Sequence, residues 1–127
     1  MISIMFSCKP WLRKAVGLVY LIIIAFLSLL PSRNLPEIPL FSGADKLVHI
    51  CMYLGLSFLA CWAYVGDLGR FRFMYTLLAA VFMYGVLMEI LQRTMQNGRS
   101  FDFKDMVANL VGAITGLLIY RYMVRIR

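Results

Sequence analysis

Three short groups of polar residues interrupt a chain that is otherwise almost entirely apolar. They are Asp45, Lys46 and His49; Glu89 and Gln92; and Arg99, Asp102, Asp105 and Asn109. Carboxylate oxygens and imidazole nitrogens can hold a hard divalent cation such as Mg²⁺ or Mn²⁺, and Lys and Arg side chains bind phosphate. These residue types therefore indicate metal-assisted or histidine-based phosphoryl transfer, or the binding of a phosphorylated head group.

The composition decides which elements must position these groups. Of 127 residues, 62% are hydrophobic and 15% are charged, and the mean hydropathy is +0.81. Such a chain is too apolar for a water-soluble domain of this size. Since about 20 helical residues cross a bilayer, we predict an all-α membrane protein, a single domain over residues 1–127. Its four transmembrane helices are predicted at 12–30, 47–65, 73–91 and 106–122.

The first apolar segment has the basic flank of a signal peptide, because Lys9, Arg13 and Lys14 precede it. The following LSLLPSRNLP has no small-residue cleavage pattern, and three further membrane segments come after it. We therefore predict that this segment is retained as the first helix.

The Lys and Arg residues predict the orientation. With four spans, the N-terminus, the second loop and the C-terminal tail share one side, which has eight basic residues and the single acid Asp67. The other side has five basic and five acidic residues. By the positive-inside rule the first side is cytoplasmic, so we predict a multi-pass protein of the inner (cytoplasmic) membrane with both termini inside and the polar groups at the outer face. Anionic lipid explains the net charge of +7 without a nucleic-acid partner.

Helical spacing brings the polar groups onto defined faces. His49, Tyr53 and Ser57 recur every fourth residue, and Gly112 and Gly116 form a small-xxx-small pair that permits close helix approach. We predict that the inward faces of helices two, three and four meet around one cavity. The predicted catalytic residues are His49, Glu89 and Asp105. The predicted binding residues are Lys46, Tyr53, Gln92, Arg99 and Asn109. Asp45 and Asp102 are predicted to join the catalytic residues in holding a metal.

Each group also has a purely structural interpretation. Asp45 can cap the second helix, and Asp102 with Asp105 resembles an imperfect capping arrangement at the fourth. A histidine such as His49 is commonly a hydrogen-bonded packing residue. Glu89 is harder to explain structurally, because a carboxylate near the hydrocarbon boundary is costly unless it is paired.

Taken together, the three motifs carry a family resemblance. Asp-Lys-x-x-His at 45–49, Glu-x-x-Gln at 89–92 and Arg-x-x-Asp-x-x-Asp-x-x-x-Asn at 99–109, followed by Gly112 and Gly116, resemble the signature of the VanZ-like family of small membrane proteins. The resemblance extends from about Leu18 to Tyr120. It implies a cell-envelope protein, and the family's namesake is associated with low-level resistance to the glycopeptide teicoplanin.

Two functions from different classes fit these observations. One is a protein that binds or processes an envelope lipid, a lipid-linked head group or a lipoglycopeptide at the outer leaflet, as an enzyme or with an effect on teicoplanin susceptibility. The other is a non-catalytic binding or scaffold protein, in which the polar cluster locks the helices together. Membrane lipids are expected partners of both. The Glu89→Gln substitution separates them, because only a metal or acid–base role needs the negative charge.

Overall fold

Five helices make up the described part of the chain, and four of them are long and apolar enough to cross a membrane. The computed structural model describes residues 2–29, 44–64, 71–94 and 103–126. The helices are α1 (Ile2–Ser7), α2 (Pro10–Leu29), α3 (Ala44–Ala63), α4 (Phe71–Thr94) and α5 (Phe103–Arg125). The predicted all-α architecture with four membrane-spanning helices is confirmed.

The helices extend beyond the predicted apolar segments at most ends. The first long helix begins at Pro10, where the backbone N–H groups of Leu12 and Arg13 donate to the Lys9 carbonyl. Proline suits this first helical position, because its missing N–H would have no partner inside the helix. Hydropathy marks where hydrocarbon ends, whereas helical hydrogen bonding continues into the polar flanks. As a result α4 includes Gln92 and α3 includes Lys46.

The tightest packing in the bundle joins α3 and α5. A Cβ atom at Gly112 would overlap the carbonyl oxygen of Ile50, and one at Gly116 would overlap that of Leu54. Only glycine allows the two backbones to come this close, as the small-xxx-small pattern predicts. The resulting contact places the first turns of α3 beside those of α5.

Two apolar clusters complete the interior. One joins four helices through Ile24, Tyr53, Leu56, Val81 and Ala113. The other, at the opposite end from the polar groups, contains Cys61, Trp62, Met74, Leu117 and Tyr120. The short helix α1, which the sequence did not predict, packs against this second cluster, where the Trp62 indole donates to the Met5 carbonyl over 2.8 Å.

Candidate functional site

Four elements bring polar side chains to the same end of the bundle. The chain runs alternately up and down, so the end of α2, the start of α3, the end of α4 and the start of α5 meet there. Each contributes buried or half-buried polar groups from its last or first turns: Ser28 from α2, Lys46 and His49 from α3, Glu89 and Gln92 from α4, and Asp105 and Asn109 from α5.

The imidazole of His49 is fixed by α5. Its Nδ1 atom lies 3.0 Å from the Asn109 side-chain oxygen, which can only accept a hydrogen bond. In the neutral ring this contact places the proton on Nδ1 and leaves Nε2 as an acceptor. Nε2 lies 3.8 Å from a carboxylate oxygen of Asp105. A ring held through one nitrogen by an amide, with the other directed at a carboxylate, is oriented as a metal ligand or a general base.

The carboxylate of Asp105 also receives the ammonium group of Lys46. This α3 side chain donates to one oxygen of Asp105, while the other oxygen faces His49. Lys46 is 27% exposed and Asp105 is 16% exposed, so the ion pair is partly shielded from solvent. Asp105 thus joins α5 to α3, in addition to lying in the first turn of α5, where a carboxylate interacts favourably with the helix dipole.

The most deeply buried charged group of the cluster is Glu89. It is 2% exposed, although it comes from the C-terminal half of a membrane-spanning helix. One ligand atom each from His49, Glu89 and Asp105 can be chosen so that all three lie within 4.8 Å of one another. Three helices therefore converge on a single point with one nitrogen and two carboxylate oxygens.

Residues one turn deeper in the bundle and the last turn of α2 also contact the cluster. Tyr53, on the same face of α3 as His49, is 1% exposed and packs at Gly85, where a Cβ would lie 3.2 Å from its ring and 3.0 Å from the Asn109 amide nitrogen. The Gln92 amide donates to the backbone carbonyl of Ser28. This bond occupies a carbonyl in the last turn of α2 that has no partner within the helix.

The structure thus brings together His49, Glu89 and Asp105, with Lys46 and Asn109 in contact and Tyr53 below. The convergence of the three helices agrees with the sequence prediction, while the catalytic, binding and metal roles of these residues stay predictions. The side chain of Asp45 lies outside the described part of the chain, as do Arg99 and Asp102. Their predicted binding and metal-holding roles stay predictions as well.

Sequence reasoning missed two features of this arrangement. It assigned Lys46 to phosphate and did not predict its pairing with Asp105 across the α3–α5 contact. It also did not predict close packing at Gly85, although this glycine lies four residues before Glu89 and hence on the same face of α4. That spacing was the available signal for close packing beside the acid.

The chain was compared with models of known protein families. A family model described as VanZ/LLP1 matches residues 13–125. This chain belongs to the VanZ-like family. No curated protein and no solved structure gives a significant match to it. The matched VanZ-like region begins at Arg13 within α2, ends with α5 at Arg125 and contains every residue of the polar cluster, whereas α1 precedes it.

The donor set in this VanZ-like bundle is chemically suited to a divalent cation. Two carboxylates and one imidazole are ligands used for Mn²⁺, and carboxylates for Mg²⁺. Three protein ligands leave coordination positions for water or a substrate oxygen. The Asn109 contact would act as the outer support that orients the imidazole.

Proposed function

We propose that this VanZ-like protein binds the phosphorylated head group of an envelope lipid, or a lipid-linked head group, at the outer face of the cytoplasmic membrane. In this proposal a divalent cation held by His49, Glu89 and Asp105 bridges to the phosphate. The observation that carries the proposal is the convergence of these three side chains around a carboxylate that is 2% exposed.

The cost of burying charge supports a functional role for Glu89. An ionised carboxylate inside a membrane bundle costs about 3 kcal/mol on insertion scales and more in simulations. Ionisable residues at such positions are rare and commonly functional. A cation bound between Glu89 and Asp105 would interact favourably with both carboxylates. On the open side of such a cation, a phosphate oxygen would be polarised for phosphoryl transfer.

The orientation of the bundle decides which leaflet the site meets. At the end opposite the cluster, the charged residues in the described ranges are all basic: Lys9, Arg13, Lys14, Arg72, Arg121 and Arg125. Basic residues at one end of a bundle favour its retention on the cytoplasmic side. The cluster would then face outward, where envelope lipids and lipoglycopeptides are accessible.

This orientation gives a direct topology test. An alkaline phosphatase reporter, which is active only outside the cytoplasm, should be active when inserted near Asn97 and inactive when fused after Arg127. A fluorescent reporter that folds only in the cytoplasm should show the opposite pattern at the same two sites. If phosphatase is active only after Arg127, the cluster faces inward and an outer-leaflet substrate is excluded.

Cation binding can be measured on the purified protein. We expect Mn²⁺ to raise the melting temperature in detergent, because a ligand at 100 times its dissociation constant stabilises the folded state by about 2.7 kcal/mol. The Glu89→Gln variant keeps the size of the side chain and removes its charge, so its Mn²⁺-dependent shift should disappear. Electron paramagnetic resonance of free Mn²⁺ gives the affinity independently.

The matched control is Asp67→Asn, because under the proposed orientation this carboxylate, in the connection between α3 and α4, lies on the opposite side of the membrane from the cluster. Its Mn²⁺ response should equal that of the wild-type protein. An equal response of Glu89→Gln and wild type would exclude a cation at the cluster.

A structural lock is the second candidate, and the interhelical hydrogen bonds favour it. Lys46 and His49 join α3 to α5, and Gln92 joins α4 to α2. Polar contacts of this kind stabilise membrane bundles by about 0.6 kcal/mol on average. A lock would keep its function in Glu89→Gln and would show no Mn²⁺ response, so the same measurement separates the two candidates.

A further inference from the structure

An apolar groove lies between α2 and α3, away from the polar cluster. It has a volume of about 200 Å³, and its lining includes Gly17, Leu18, Leu21 and Leu56, with Lys14 and Tyr64 at one end. An engineered apolar cavity of about 150 Å³ in another protein is large enough to bind benzene. The α2–α3 groove therefore has room for several methylene groups of a hydrocarbon chain.

The groove owes its depth to Gly17. A Cβ atom at this position would meet nothing nearer than the Leu59 carbonyl oxygen at 4.0 Å, so the space in front of the glycine is open. The rim side chains Leu18 and Tyr64 are 59% and 43% exposed. Because α2 and α3 are membrane-spanning helices, a groove that opens beside these exposed side chains opens toward lipid.

One end of the groove is positively charged and aromatic. The Lys14 ammonium lies 5.2 Å from the centroid of the Tyr64 ring, and both residues line the groove. Lys14 belongs to the end of the bundle at which the charged residues in the described ranges are all basic. Basic and aromatic side chains at this level of a membrane protein contact the phosphate region of the lipid.

We propose that the α2–α3 groove binds an anionic phospholipid of the leaflet on the basic side, with one acyl chain along Gly17 and Leu21 and the phosphate against Lys14. The apolar lining matches the acyl chain, and the charge of Lys14 matches the phosphate. This lipid site is separate from the polar cluster, and it does not depend on the function proposed for that cluster.

Native mass spectrometry of the detergent-purified protein tests the proposal. Phosphatidylglycerol and phosphatidylcholine with the same acyl chains are added separately, and the retained lipid is counted. We expect the wild-type protein to retain phosphatidylglycerol about fivefold better, the equivalent of one Lys contact with an anionic lipid. Lys14→Gln should remove this preference, whereas Lys9→Gln, an exposed basic residue that does not line the groove, should keep it.

Gly17→Leu fills the groove and should reduce retention of both lipids severalfold, because the acyl chain loses its close van der Waals packing against α2. Val19→Leu is the control, because it adds apolar volume to the exposed surface of α2 outside the groove. Circular dichroism shows whether each variant is folded. If Gly17→Leu does not fold, Lys14→Gln still tests the proposal. Equal retention of the two lipids by wild type overturns the proposal. The proposal is also overturned if Gly17→Leu retains both lipids as well as wild type does and still prefers phosphatidylglycerol. That result would show attraction of the anionic lipid to the protein surface without an acyl-chain site.

Discussion

His49→Ala and Glu89→Gln should each abolish the proposed binding of Mn²⁺ to this protein, and combining them should cause no further loss. Both side chains offer a ligand atom to the same point, within 4.8 Å of each other and of Asp105. Residues that act as one unit give strongly non-additive effects, because the first substitution already removes the unit. Loss of a supporting residue around a metal typically lowers affinity 10–100-fold, so loss of a direct ligand should lower it by about 100-fold or more.

The measurement for this prediction is the Mn²⁺ affinity of the purified proteins. The two single variants and the double variant should all lose the Mn²⁺ binding of the wild-type protein.

The control for this series is Thr115→Ala on α5. Thr115 donates to the Val111 carbonyl within its own helix and lies away from the cluster, so this variant should behave as wild type. If Glu89→Gln keeps the Mn²⁺ affinity of wild type, or if the affinity losses of the two variants add independently, the residues do not form one site. The structural lock would then explain the cluster.

Lys46→Met should raise the affinity for Mn²⁺ by about tenfold. The Lys46 ammonium donates to a carboxylate oxygen of Asp105, where it competes with a cation for the same charge. A hydrogen bond to a charged group contributes about 1.5–3 kcal/mol, and about 1.4 kcal/mol corresponds to a tenfold change in affinity. Methionine keeps the length and the apolar stem of the lysine while it removes this competition.

The same variant should weaken binding of the phosphorylated head group, since Lys46 is the cation in the described cluster that can contact a phosphate beside the metal. Lys9→Met is the matched control, because it removes one exposed positive charge at the other end of the bundle. Its Mn²⁺ affinity should equal that of the wild-type protein. A Lys46→Met variant with weaker Mn²⁺ binding would show that the ammonium supports the site rather than competes for it.

Sequence patterns predicted the architecture well because hydrocarbon and water impose strong, regular constraints on it. Every apolar segment of sufficient length must form a helix inside the bilayer, and the polar faces of those helices must turn toward one another. The close approach at Gly112 and Gly116 followed from their spacing alone. The positions of His49 and Asp105 on facing helices followed from the same geometry.

The sequence could not predict which polar groups pair within the cluster. Lys46 contacts Asp105 because α5 packs against α3 at Gly112 and Gly116. The positions of these glycines against Ile50 and Leu54 set which turns of the two helices lie opposite each other. The Gln92 contact with the Ser28 carbonyl depends on where α2 ends relative to α4, which hydropathy does not resolve. Helix α1 was missed because six residues carry too little periodicity to be distinguished from an irregular N-terminal segment.

The most direct test of the cation site is a crystal structure of the protein grown with Mn²⁺, with diffraction recorded at the manganese absorption edge. We expect one anomalous peak about 2.0–2.2 Å from His49 Nε2 and from one carboxylate oxygen each of Glu89 and Asp105, the range for such ligands on a small divalent cation. The Lys46 ammonium should have moved away from Asp105. An absence of anomalous signal among these three side chains at saturating Mn²⁺, with Lys46 still bound to Asp105, would contradict the account.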